Sequence, residues 1–350
     1  MMKTKTSVHS RREANRQRLK SEASAQWAAA SVQLGAQMIL WLTFFGYDRA
    51  AQTVWQAALL WVVPFFLLWF LWKKGTGVFL KNAGRYALLG LLPCLMMDAA
   101  FLLFALGGYM GQLIPQYPGW MSVWVVSGFA VLTAFLSKPR GVSYGIDGLK
   151  WGILLLFVLS TVFLRQSSRA DRLWPILGKG LKNTAMTALL GVGSLWGIAL
   201  FFLFPGEEKA DGKTVLWGLI PWALGVIWAL WYGFVRPWNP GDVLPVAEKM
   251  MGFARHASSV TLYEMAGVMW MVLLPLSLTG ALTAGERIVT GVFEKCPRLV
   301  PLAAVLLPGF LGMLLIPGKM IGILEKALPL RAALSFGTAV FLCVLARRQK

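Results

Sequence analysis

Charge is what this 350-residue chain has least of. Only 14% of its residues are Asp, Glu, Lys or Arg, and 57% are hydrophobic. Soluble chains carry about 25% charged residues. With a mean hydropathy of +0.62, an ordinary soluble protein is excluded. Acid is the scarcer sign, with 15 Asp and Glu against 34 Lys and Arg, for a net charge of +19. The basic residues do not form one patch of the kind that binds nucleic acid. They sit in tails and short loops between apolar runs, where they act as topology signals, so no nucleic-acid partner is expected. Histidine is nearly missing: His9 and His256 are the only two, which excludes a histidine-based metal enzyme. Cys94, Cys296 and Cys343 lie far apart, with no CxxC pair and no histidine nearby. Neither a disulfide framework nor a metal site is indicated. There is no Ser-His-Asp set, Walker loop or HExxH sequence, so neither an enzyme nor a cofactor is expected. Alternating ten-residue segments, the signature of a membrane barrel, are lacking as well.

Long apolar runs are what the chain does have, together with 17 tryptophans, a residue that gathers at membrane interfaces. An all-α polytopic membrane protein follows. Ten runs reach or approach the roughly 20 residues that cross a bilayer, at about 27–46, 52–72, 85–110, 119–137, 149–164, 184–205, 214–236, 261–285, 299–316 and 328–346. The basic segment 1–26 precedes them and a short basic tail, 347–350, follows. With the N-terminus inside, Lys73, Lys74, Lys81 and Arg85 fall inside, as do Lys138, Arg140, Lys150, Arg287, Lys295 and Arg298. That is the expected asymmetry for cytoplasmic N- and C-termini. The loop from Arg165 to Lys182 dissents, being external yet rich in basic residues. Residues 237–260 form the longest external loop. Val246, Met250, Phe253 and Ala257 recur there at helical spacing, which fits a short amphipathic helix.

The sixth run, Ala185 to Pro205, reads AMTALLGVGSLWGIALFFLFP. Gly191, Gly193, Ser194 and Gly197 stand where a lipid-facing helix prefers leucine. Small residues also line tight helix interfaces, so packing is the plainer reading of the run taken alone. Its place in the chain adds weight to the other. Ten runs divide as five plus five (27–164 and 184–346), and the counterpart first run carries Gln33, Gly35 and Gln37 inside apolar sequence. Interruptions in corresponding spans of two halves mark a midplane binding site in inverted-repeat transporters of the LeuT type.

Asp98 is the sharpest single residue, lying in LPCLMMDAAFLLFALG far from either end of the third run. An intramembrane acid marks a functional interior by default. The alternative is a protonated or arginine-paired structural acid, and no basic residue of the third run is close. Glu286 and Arg287 close the eighth run and look like an interfacial pair. Pro93 and Pro275 are expected to kink their spans, with Ser277 and Thr279 placed to satisfy freed carbonyls or to bind an ion.

The run RLWPILGKGLKNTAMTALLGVGSLWGIALFFLFP resembles the stretch before and through the sixth helix of endospore germination permeases. These are the B subunits of spore germinant receptors, within the amino-acid/polyamine/organocation transporter superfamily. The likeness rests on Trp174-Pro175-Ile176-Leu177, Gly180-Leu181-Lys182 and the Gly/Ser-containing helix behind them. Asp48 to Trp55, Gly145 to Leu149 and the Trp270-containing eighth span are further echoes. The family's charged Arg-x-Asp at the start of span eight is missing, and Thr261 and Tyr263 stand there with Glu264 one position on.

The resemblance implies a ten-helix permease-like subunit in the cell or inner spore membrane. It would bind an amino acid or similar small germinant beside A-type and lipoprotein C-type subunits. Its pocket would be formed by the broken first and sixth helices and lined by the third and eighth. On this sequence the ligand-binding residues implied are Gly35, Gln37, Asp98, Gly191, Gly193, Ser194, Gly197 and Ser277, with no metal among the ligands. A stand-alone H⁺- or Na⁺-coupled amino-acid transporter needs the same pocket and remains the alternative. A membrane enzyme would require clustered acids, His or Arg at one face. A scaffold with a vestigial pocket is the fourth reading.

If the sixth span is broken around a ligand, Gly193→Leu abolishes ligand-induced thermal stabilisation while folded protein still accumulates in the membrane. A normal ligand response in that variant would remove the broken-helix argument.

Overall fold

The computed structural model describes residues 84–113, 123–137, 180–192, 260–293, 295–315 and 319–348, together with positions 17, 62–63, 120–121, 141–142, 145, 223 and 226–227. Within these the chain is helical, with no strand among the described residues. The third run becomes a short helix α1 (Gly84–Ala87), a 3-10 turn (Leu88–Leu91) and a long helix α2 (Leu92–Leu113). Helix α3 (Val123–Ser137) is the body of the fourth run, and α4 (Gly180–Val192) opens the sixth. The last three runs are α5 (Val260–Val292), α6 (Leu299–Leu315) and α7 (Met320–Arg348). The first, second, fifth and seventh runs, the loop helix expected at 246–257 and the five-plus-five repeat lie outside the described residues.

Pro93 explains why the third run is not one continuous helix. It has no N–H to give the carbonyl of Leu89, its partner four residues back. The Leu92 N–H donates to the Leu89 carbonyl instead, closing a 3-10 turn. The Leu89 carbonyl thus keeps a donor despite the proline. Around Pro275, Thr279 Oγ1 donates to the Pro275 carbonyl at 2.9 Å, and Thr283 Oγ1 to the Thr279 carbonyl at 2.8 Å. These hydroxyls bond back along their own helix.

Helix α2 is the hub, packed against α5, α6 and α7, while α7 also packs against α4. Close approach is possible because glycines stand at the crossings. A methyl group at Gly309 of α6 would lie 2.9 Å from the Ala100 Cα of α2, and one at Gly285 of α5 would lie 2.5 Å from Val305 Cγ2 of α6. At Gly90 it would meet Thr338 Oγ1 of α7 at 2.9 Å. Small residues at such crossings let backbones approach where lipid gives helices little hydrophobic reason to associate. Helix α4 begins four residues before the expected span, at Gly180. Its φ of +83° suits glycine alone.

Polar side chains lie within a largely apolar core, and large apolar side chains also cover the outside. Asp98, Ser127, Thr184, Thr187, Ser277, Glu286, Arg331 and Ser335 are buried, whereas Val125, Phe129, Leu136, Leu307, Leu314, Leu315, Leu330 and Phe341 are exposed. On α4 the threonines 184 and 187 face inward while Leu181, Met186 and Leu189 face out. Apolar side chains turned outward over several helices need lipid around them. Among the described residues, two stretches, Leu88–Gly107 and Gly322–Leu345, are long and apolar enough to cross a membrane. The chain is a helical membrane protein.

The glycine crossings are directly testable. Gly309→Ala is expected to cost about 1–3 kcal/mol through overpacking against α2, read as a lower thermal midpoint in detergent. A methyl at Gly128 of α3 meets nothing within 4 Å. Gly128→Ala should leave the midpoint unchanged or raise it, by at most about 1 kcal/mol. The reverse order would refute the close α2–α6 approach.

Candidate functional site

Of the residues expected to line a pocket, the structure describes Asp98, Gly191 and Ser277. Gly35, Gln37, Gly193, Ser194 and Gly197 lie outside the described residues. Asp98 sits on α2, Ser277 on the adjacent α5, and Gly191 in the last turn of α4. Because α7 packs against both α2 and α4, it links the Asp98 helix to the helix leading into the glycine-rich stretch.

The partner of Asp98 comes from that connecting helix. Arg331 Nε donates to Asp98 Oδ1 at 2.7 Å, and the two side chains are 1% and 0% exposed. The acid is thus paired with an arginine from a distant span. Asp98 is at the middle of the apolar stretch Leu88–Gly107, and Arg331 lies three residues from the middle of Gly322–Leu345. Either charge alone at that depth would be expensive. A second link runs between the same helices, with Cys94 Sγ donating to the Arg331 carbonyl at 3.4 Å.

Sequence reasoning missed Arg331 because the tenth run was expected to start at 328, which makes residue 331 look interfacial. The helix starts instead at Met320, so Arg331 lies three turns in. Glu325, Lys326 and Pro329 blurred that boundary. The signal present was the apolar sequence on both sides, Leu328-Pro329-Leu330 and Ala332-Ala333-Leu334. Thr184, Thr187 and Ser335 are further buried polar residues that periodicity alone did not pick out.

A second charged group fastens one end of the bundle. Glu286, in the last turns of α5, takes its arginine from the α5–α6 turn: Arg298 Nε donates to Oε1 and Nη2 to Oε2, the latter at 3.2 Å. The sequence pointed to the adjacent Arg287; the two-pronged bond to Glu286 comes from Arg298, twelve residues on. The same guanidinium donates from Nη1 to the Phe135 carbonyl of α3 at 3.1 Å and lies over the Phe135 ring, 5.1 Å from its centroid. One side chain thereby joins the ends of three helices and satisfies a carbonyl in the last turn of α3. Its hydrogen bond to Glu286 pushes the Arg298 pKa further up, so it stays charged throughout the physiological range. Trp124 of α3 stacks on Phe310 of α6 with ring centroids 4.6 Å apart.

Among the described residues, no group of three or more His, Cys, Asp or Glu could hold a metal ion. The negative charge of Asp98 is already balanced by a guanidinium. What this part of the protein offers is a charge-neutral, buried polar seam between helices, with threonine and serine hydroxyls along α4, α5 and α7.

No protein-family model matches the chain, and no curated protein sequence matches it. Solved structures do. A manganese transporter from Eremococcus coleocola, bound to an aromatic bis-isothiourea compound, is similar at a TM-score of 0.57 and 15% identity, over 92% of this chain and 76% of that one. Two single-residue variants of that transporter match over the same shares at 14% identity and a TM-score of 0.55. At such identities the likeness is one of fold, and the fold is that of a membrane transporter.

Arg298→Lys keeps the charge but loses the fork that serves Glu286 and the Phe135 carbonyl together. The variant is expected to lose about 1–2 kcal/mol of stability, while Lys295→Ala, at an exposed neighbouring position, leaves the thermal midpoint where it was. An unchanged midpoint in Arg298→Lys would show that the fork contributes nothing.

Proposed function

We propose that the chain is a permease-like protein that binds a small polar organic solute within its helical bundle, and that it serves as the permease-like subunit of a spore germinant receptor. The observation that carries the permease reading is the likeness in fold to membrane transporters across 92% of the chain. The germinant role rests on the sequence resemblance around Trp174 to Pro205. In this reading the solute is an amino acid or similar germinant held where the first and sixth spans are interrupted, at Gly35, Gln37, Gly191, Gly193, Ser194 and Gly197. Ser277 lines the pocket from α5. A- and C-type subunits are the partners, and the termini are cytoplasmic.

A second reading, a stand-alone H⁺- or Na⁺-coupled amino-acid transporter, is favoured by the function of the fold's relatives themselves. Manganese, the metal named for those relatives, is not the solute we propose. Hard divalent cations take several oxygen ligands with uncompensated charge, and the buried carboxylate of Asp98 is paired with Arg331.

Purified protein is to be screened by thermal shift against the twenty amino acids, then reconstituted into liposomes for uptake of whichever stabilises it. A ligand at a hundred times its Kd stabilises by about 2.7 kcal/mol, so a real binder gives a clear shift. Stabilisation without uptake supports a sensing subunit, and stabilisation with uptake a transporter. Uptake of manganese, with no amino-acid effect, would overturn both.

A further inference from the structure

We propose that Asp98 and Arg331 form a charge-neutral clasp that fixes the register of the last helix, α7, against α2, so that Asp98 is a positioning residue and does not touch solute. Three contacts define how these helices meet. Gly90 faces Thr338, Cys94 faces the Arg331 carbonyl, and Asp98 faces the Arg331 guanidinium. Positions 90, 94 and 98 are spaced one turn apart, on one face of the third span. As the α2-side numbers rise, the α7 numbers fall, so the helices run antiparallel.

Beside the Gly90–Thr338 approach, the charge pair is the contact in the seam that penalises a slip most. The rest of the buried face of α7 is mostly apolar, with Leu324, Leu328, Ala332, Ala339 and Leu342 around the buried Ser335. Such a face packs acceptably after sliding by a turn, and lipid supplies no hydrophobic force to prefer one position. A charge pair does choose. A slip of one turn, about 5.4 Å, would separate Arg331 from Asp98 and strand two charges at mid-membrane, where neither finds water. Fixing register is the best-attested use of a buried polar pair. Burial is complete on both partners, so Asp98 offers no open face to a solute here. Since α7 also packs on α4, the clasp sets the position of the helix that leads into Gly191 and the residues after it. That last consequence rests on the proposed pocket, whereas the clasp itself does not.

The test reads register without any solute. Gly90→Cys with Thr338→Cys places two thiols where the 3-10 turn leading into α2 approaches α7, within reach of a disulfide, which peptide mass mapping detects. This pair is combined with Asp98→Asn, with Arg331→Met and with both. The clasp predicts efficient disulfide formation in the otherwise native chain. Each single charge removal should lower its yield and reduce the thermal midpoint on the order of 10 °C. The combined Asp98→Asn/Arg331→Met variant should do less harm than the two single effects added together, because no lone charge is left. If either single variant forms the disulfide and melts like the parent, or if the effects simply add, the proposal is overturned. Failure of the thermal-shift screen would leave this result untouched, so the two readings fail separately.

Discussion

A carboxylate and a guanidinium, each nearly inaccessible to water and each near the middle of a long apolar helix, constrain this protein more tightly than any other contact described. Asp98 and Arg331 must be buried together or not at all. Their pairing obliges the third and last spans, separated by more than two hundred residues, to meet antiparallel and in one register. The remaining helices arrange themselves on this axis: α5 and α6 lie against α2, and α4 lies against α7. Small residues then bring the backbones together. At Gly309, Gly285 and Gly90 a single added carbon would collide with the neighbouring helix.

The same constraint applies to the other polar side chains. Hydroxyls and charges gather inside, where they find one another or bond back to their own helix, as Thr279 and Thr283 do on α5. Leucine, valine and phenylalanine fill the rest of the interior and also cover the outside. The permease reading draws on both facts, since a solute path through such a bundle has to be lined by the groups that lipid rejects.

Much of the class was legible in the sequence, because apolar run length and scarce charge are direct consequences of the solvent a chain inhabits. The ninth span, expected at 299–316, is found at Leu299–Leu315. The eighth and tenth are longer than expected. Hydropathy detects the hydrocarbon boundary, whereas a helix continues past it wherever its backbone bonds are satisfied, as α5 does from 285 to Val292. Asp98 stood out because it is an acid amid apolar neighbours. Its partner did not, because pairing is a property of two distant segments and leaves no periodic trace in either. Glu286 shows the same limit on a shorter scale: adjacency pointed to Arg287 and gave no sign that the turn after α5 brings Arg298 onto it. The pocket residues proposed at Gly35, Gln37, Gly193, Ser194 and Gly197 rest on sequence order alone.

The pair at the end of α5 also serves as a depth gauge. Glu286 is buried, but the arginine that grips it is 35% exposed, so this end of the helix lies close to the waterline. Counting back along α5 at 1.5 Å per residue puts Ser277 about 14 Å below that line, near the midplane of a hydrocarbon layer roughly 30 Å thick. Asp98 reaches the midplane by a separate count, from the centre of its own apolar stretch. Two adjacent helices thus carry their buried polar groups to the same altitude. There a solute would be equally far from either aqueous phase.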